Sequence, residues 1–211
     1  MKKMQGLLVF AVVIGMMVPV QALDKKAAPA PAAGADKMAQ MMALWQKNAS
    51  PGENHKVLDA FAGDWENVMR NWMSPGQPPQ ESKGTNSNQW VYGGRFLKQE
   101  YKGPMMGMMF EGVGFTGYDN MKGEYVSVWL DNMSTGMMVS SPKYDAASKS
   151  LNEDGTMSCP GTGEKAMWYR SVWKSIDADH YSLEMYNKSP DGKEFKAMEI
   201  QCVRVKPAIS K

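Results

Sequence analysis

From residue 64 onward, apolar and polar positions alternate in short runs, and turn-forming residues separate one run from the next. In 193–205, Met198, Ile200 and Cys202 share one face, while Glu199 and Gln201 take the other. In 179–187, Tyr181, Leu183 and Met185 alternate with His180, Ser182 and Glu184. The same period predicts strands at 64–73, 84–92, 95–102, 110–118, 124–131, 135–144, 149–157 and 166–176. Between them stand Gly93-Gly94, the run 118–123, Asp131-Asn132-Met133-Ser134, Asp177-Ala178-Asp179 and the run 189–192, which tolerate tight or left-handed backbone. About ten short strands at close intervals, with no long helix between them, predict an all-β, antiparallel up-and-down β-barrel over 63–207.

Ahead of the strands the period is helical. Met38, Met41, Met42 and Trp45 predict an amphipathic helix over about 36–48. Ser50-Pro51-Gly52-Glu53 reads as a capping box with Pro at the first helical position, starting a second helix that runs through Phe61 and stops at Gly63. Residues 36–62 are therefore one or two short N-terminal helices. The Ala/Pro-rich stretch 23–35 is too poor in large apolar groups to offset its ordering entropy and reads as a flexible linker. Residues 1–22 carry Lys2 and Lys3, an apolar run from Leu7 to Val20, and Val20-Gln21-Ala22 where a signal peptidase reads. The apolar run is shorter than a spanning helix requires, so the expectation is a signal peptide and a periplasmic or secreted product with no stable membrane insertion after cleavage.

Removal of that leader changes the charge. The full chain has 24 Lys+Arg against 22 Asp+Glu, and without Lys2 and Lys3 the two are equal. With neither net charge nor a Lys/Arg run, the chain has no electrostatic footprint for nucleic acid. Cys159 and Cys202 would stand in an oxidising compartment. They fit a disulfide, or else a small core residue on a strand (Cys202) and a thiol at the rim (Cys159). Two histidines, His55 and His180, and no Cys-x-x-Cys give no expected metal site or cofactor.

Phe61-Ala62-Gly63-Asp64-Trp65, a helix ending in Gly-x-Trp at the start of the first strand, resembles the calycins, the lipocalin and fatty-acid-binding-protein group. The resemblance implies that Trp65 plugs one barrel end and that Arg204, in Cys-Val-Arg-Val, packs across it. A closer similarity runs through His55-Lys56-Val57-Leu58, Gly63-Asp64-Trp65, Gly93-Gly94-Arg95-Phe96-Leu97, Phe110-Glu111-Gly112, Gly117-Tyr118-Asp119-Asn120, the run 129–136, Met198-Glu199-Ile200 and Arg204. These strings are similar to a bacterial family, domain of unknown function 1579. That family implies a lipocalin-like barrel and brings no established activity. About ten strands look more like the fatty-acid-binding or nitrobindin type than the eight-stranded lipocalin. Haem-binding members of that neighbourhood use a late histidine, and the last strand has none, which speaks against haem.

No Gly-x-Ser-x-Gly, phosphate loop, His-Glu-x-x-His or dinucleotide fingerprint occurs, so a binding protein is expected rather than an enzyme. Aromatic and Met side chains would line the interior: Trp72, Trp90, Tyr101, Met109, Trp129, Met138, Trp173, Tyr181 and Met185. Such a lining suits a small, largely apolar ligand. Two other readings stand beside it. One is an envelope interaction or stress protein using the barrel as a scaffold. The other is Cu(I) binding by thioethers, since 17 Met follow residue 22 and Met105-Met106-Gly107-Met108-Met109 is dense. Asp119, Asp131 and Ser134 would converge on a polar head group if their turns shared one rim.

Overall fold

The computed structural model describes residues 33–206. The segments read as signal peptide (1–22) and, up to residue 32, as linker lie outside the described residues. Two compact units divide between Gln40 and Met41. The first contributes only the start of helix α1 (Ala33–Ala49) to the described residues. That helix takes in Ala33–Ala35, the end of the segment read as linker, in keeping with the helix propensity of alanine. Its apolar stripe is open to solvent, Met41, Met42 and Trp45 all being exposed. Among the described residues, no helix is long and apolar enough to cross a membrane.

Within the second unit, α2 (Glu53–Lys56) runs into a 3-10 turn, Val57–Phe61. The cap sits at Gly52, not Ser50. His55 Nδ1 accepts the Gly52 N–H at 3.1 Å, and the His55 N–H donates to the Gly52 carbonyl at 2.9 Å. Ser50 instead donates to the Gln46 carbonyl at the end of α1. His55 is buried, and burial, with the nearby Arg95 cation, holds its imidazole below the usual pKa.

Eleven antiparallel strands follow: β1 (Gly63–Asn71), β2 (Gln80–Val91), β3 (Phe96–Met105), β4 (Met108–Asp119), β5 (Glu124–Asp131), β6 (Met138–Ser140), β7 (Lys143–Asp145), β8 (Ser150–Cys159), β9 (Glu164–Ser175), β10 (His180–Lys188) and β11 (Glu194–Arg204). Their order in the sheet is β6-β5-β4-β3-β2-β1-β11-β10-β9-β8-β7, neighbour beside neighbour, with β1 paired to β11. The sheet curls into a half-barrel whose ladder stops at β6 and β7, and the curl brings β6 against β8. One strand expected at 135–144 is two, β6 and β7, because Ser141-Pro142 interrupts it and Pro142 has no N–H for a ladder. Conversely, β3 and β4 run on to a two-residue turn. Met106 and Gly107 both have positive φ, 54° and 79°, the signature of the mirror-image turn that matches strand twist.

Both cysteines are free thiols. Cys202 lies opposite Tyr181, which faces Ser175 at one end of β9, whereas Cys159 faces Glu164 at the other end. Eleven strand residues separate those levels, roughly 36 Å at about 3.3 Å per residue, far beyond disulfide reach. Burial pushes the Cys202 thiol up to about 12, while a hydrogen bond with Thr162 lowers that of half-buried Cys159.

Candidate binding face

Strand parity decides which side chains face the hollow of the curl. On β1 these are Trp65, Asn67 and Met69, each buried, alternating with Asp64, Glu66, Val68 and Arg70. Register carries that face to Asn86 and Asn88 on β2, Leu97, Gln99 and Tyr101 on β3, and Ile200 and Cys202 on β11. At the end of the curl nearest α2, Leu58 and Phe61 press into this wall.

Trp65 is 0% exposed at that end. Its indole N–H donates to the Phe61 carbonyl at 3.0 Å, and the Asn88 amide donates to the same oxygen at 2.8 Å. Tyr181 meets Trp65 edge-on at 4.6 Å and stacks on Trp173 at 6.1 Å. The Arg204 guanidinium lies 4.0 Å over the Trp65 ring and donates to the Ala62 and Ala178 carbonyls at 2.6 and 2.8 Å. Gly63 makes room for it: a Cβ there would stand 2.4 Å from Arg204 Nη1, and its φ of +120° is one that side chains rarely adopt. Burying an indole of this size is worth roughly 4–6 kcal/mol of transfer free energy, so this end is sealed by a dense, hydrogen-bonded plug.

On β5, β6, β8 and β9 the hollow is different. Trp129, Met138, Ser140, Glu153 and Met157 face it and are only half-buried, although Tyr169 and Ser171 on β9 are buried. Large rings lie against the wall instead of projecting inward, because the neighbouring strand offers glycine. A Cβ on Gly112 would stand 2.2 Å from Trp129 Cζ2, and one on Gly114 2.9 Å from its Cε3. Tyr169 likewise covers Gly155 at 3.3 Å. Methionines pair across strands between these rings and the far end: Met157 with Met167, Met185 with Met198, and Met138 with Trp129.

Besides Asp131 at the far end of β5, a carboxylate faces the middle of this half. Glu153 on β8 accepts a hydrogen bond from Ser171 on β9 at 2.8 Å and another from Ser140 on β6. It thereby spans the place where the ladder does not close. Tyr169 stands beside it, its phenol pushed up to about 12 by burial first and the Glu153 charge next, against the Ser140 hydrogen bond.

Seven of the nine side chains expected to line an interior face the hollow: Trp90, Tyr101, Trp129, Met138, Trp173, Tyr181 and Met185. Trp72 and Met109 do not. Trp72 is one residue out of step with Trp65-Asn67-Met69-Asn71 and lines an outer depression with Lys196 and Glu199. Met109 is one out of step with Phe110 and is 52% exposed. The same parity splits the Met-rich hairpin, since Met105 and Met108 pair on one face while Met109 pairs with Pro104 on the other. Asp119 and Asp131 also part company. Asp119 faces Glu124, seven residues from Asp131 along β5, roughly 24 Å at about 3.4 Å per residue. Each serves its own turn, Asp119 through the Met121 and Lys122 N–H groups and Asp131 through that of Met133. A groove of about 790 Å³ crosses the outer surface of β1 to β5 between Asp64, Ser87, Glu100, Lys102 and Leu130, so its rim is polar. Pattern reading missed Ser140, Glu153 and Ser171.

A family model described as "protein of unknown function (DUF1579)" matches residues 50–204. The chain belongs to that family. The match begins just ahead of the helical plug and ends at Arg204, so both halves of the hollow lie within it. A search of curated proteins gives no match. Among solved structures, the crystal structure of Rv2717c from M. tuberculosis is similar with a TM-score of 0.56 at 14% identity, over 74% of this chain and 100% of that one. At that identity the likeness concerns the fold alone. A redesigned β-barrel, b11L5F_LGL, covers 71% of this chain and 96% of its own at 12% identity, with a TM-score of 0.36 that bears no weight.

Proposed function

We propose that this DUF1579 member is an exported, periplasmic or secreted binding protein that takes up a small, largely apolar ligand against the open half of its hollow. The observation that carries this is the disposition of the rings. Trp129 and Tyr169 lie flat over glycines, and the Met and Trp side chains around them remain half-buried although they face inward. An inward face of aromatic and thioether groups with a few fixed polar groups is the composition of small-molecule sites, and Met adapts to varied shapes. Catalysis forms no part of the proposal.

The test is native mass spectrometry of the protein from the cell envelope, together with saturable quenching of tryptophan fluorescence by 1-octanol. A bound small molecule, and quenching that falls away in Trp129→Leu, are expected. Quenching that is linear and unsaturable, and unchanged in Trp129→Leu, would contradict the reading.

A further inference from the structure

We infer that the ligand of the open half is an amphiphile with a cationic head, a primary ammonium on an alkyl or aryl body, seated on Glu153. The inference rests on the binding reading above and narrows it to one head-group charge.

The contrast between the two faces of the sheet points there. Several outward carboxylates are paired: Glu199 with Arg70 at 3.3 Å and Lys196 at 2.8 Å, Glu194 with Arg170 at 2.9 Å, and Glu111 with Lys102 at 2.6 Å. Glu66 and Asp154, without an ion pair among the described residues, stand on the solvent face where water screens them. Glu153 faces inward and, among the described residues, makes no ion pair. Its two oxygens receive one hydroxyl each, from Ser140 and Ser171, which leaves lone pairs for further donors. Neutral hydroxyls orient a carboxylate but do not neutralise it, and a partly buried charge is costly unless paired. The guanidinium that does face the hollow, Arg204, is committed to Trp65 and two carbonyls at the plugged end. Asp131, on the same face of β5 as Trp129, adds a second negative charge toward the far end and accepts the Trp129 indole N–H at 3.0 Å. A fatty-acid carboxylate would therefore meet like charge, whereas an ammonium would find a carboxylate, hydroxyls and an aromatic face together. The Met157–Met167 and Met185–Met198 pairs supply adaptable surface for the apolar body.

Three probes of equal chain length separate head group from body: octylammonium, 1-octanol and octanoate, titrated calorimetrically at pH 7 into the full chain and into Glu153→Gln. The expected order is octylammonium at least ten-fold tighter than octanol, with octanoate weakest. In Glu153→Gln the ammonium falls to the level of octanol, and octanol itself changes less than two-fold. Octanoate binding as tightly as octylammonium would overturn the head-group inference while octanol binding kept the apolar site intact. So would an ammonium preference that survives Glu153→Gln. Absence of binding by all three would overturn the binding reading and this inference with it. Should Glu153→Gln fail to fold, the ranking on the unaltered protein decides alone.

Discussion

The two halves of the hollow are built from the same residue types and used in opposite ways. At the plugged end, Trp65, Phe61 and Tyr181 interlock edge to face beside Leu58, and all four are nearly inaccessible. Across β5, β6, β8 and β9, Trp129 and Tyr169 lie along the wall over glycines; Tyr169 is buried, but Trp129 and the methionines around it are only half-buried. The difference comes from the partner strand. Where the neighbour presents Asn or Leu the ring must project and pack, and where it presents Gly the ring can lie down. Aromatic content alone therefore says nothing about whether an interior is filled. A glycine opposite the ring lets it lie down without deciding exposure, since Tyr101 over Gly84 and Gly103 is buried and Trp129 over Gly112 and Gly114 is not.

That contrast predicts how the halves respond to change. Trp65→Ala removes the centre of the plug and leaves the Arg204 guanidinium over empty space. A loss of about 3–5 kcal/mol is expected in urea unfolding, the range for large buried aromatics; a loss below about 1 kcal/mol would mean that the plug is not where stability resides. Gly112→Ala should cost less, about 1–3 kcal/mol, because the Trp129 ring can swing into the open hollow instead of straining the core. Its tryptophan emission should move to longer wavelength as the ring leaves the wall. Glu153→Gln should change stability by less than about 1 kcal/mol in either direction, since it keeps an acceptor for one serine and removes an unpaired charge. The same change at Glu199, which holds Arg70 and Lys196, should be the more damaging.

The smallest effect is one of pH. His55 sits in the helical plug with its folded pKa depressed, so the unfolded chain takes up a proton first as pH falls. Its contribution is fully present above the unfolded value of about 6.5 and is lost as pH drops below it. Protonation would also convert Nδ1 from acceptor to donor against the Gly52 N–H. Thermal melts from pH 7.5 to 5 should show a decline that His55→Gln flattens, and an unchanged slope in that variant would exclude His55 as its source.

Much of the fold was legible because a half-buried strand declares itself by alternation: nine of the ten expected runs each match one strand, and the tenth covers β6 and β7. The exceptions have local causes. Pro142 cut a run that hydrophobicity alone left whole, and Met106-Gly107 was obscured by the methionines around it, although glycine there is the residue such a turn needs. Within the candidate site, Trp72 and Met109 have the chemistry of a lining but the parity of the outer face. Counting in twos from Trp65 and from Phe110 places both on the outer surface. Glu153 and its serines were harder. Glu153-Asp154 shows that one of two adjacent acids must face inward, but not which, and nothing local says that β6 returns to meet β8. That contact is set by the curl of the whole sheet.

The most direct test of a filled half beside a receptive one uses the methionines as reporters. In spectra of protein carrying ¹³C-labelled Met methyl groups, titration with 1-octanol should shift the signals of Met138, Met157, Met185 and Met198 saturably and leave Met69, fully buried against Tyr101, unmoved. Shifts at Met69, or shifts confined to exposed methionines such as Met106 and Met121, would contradict the account.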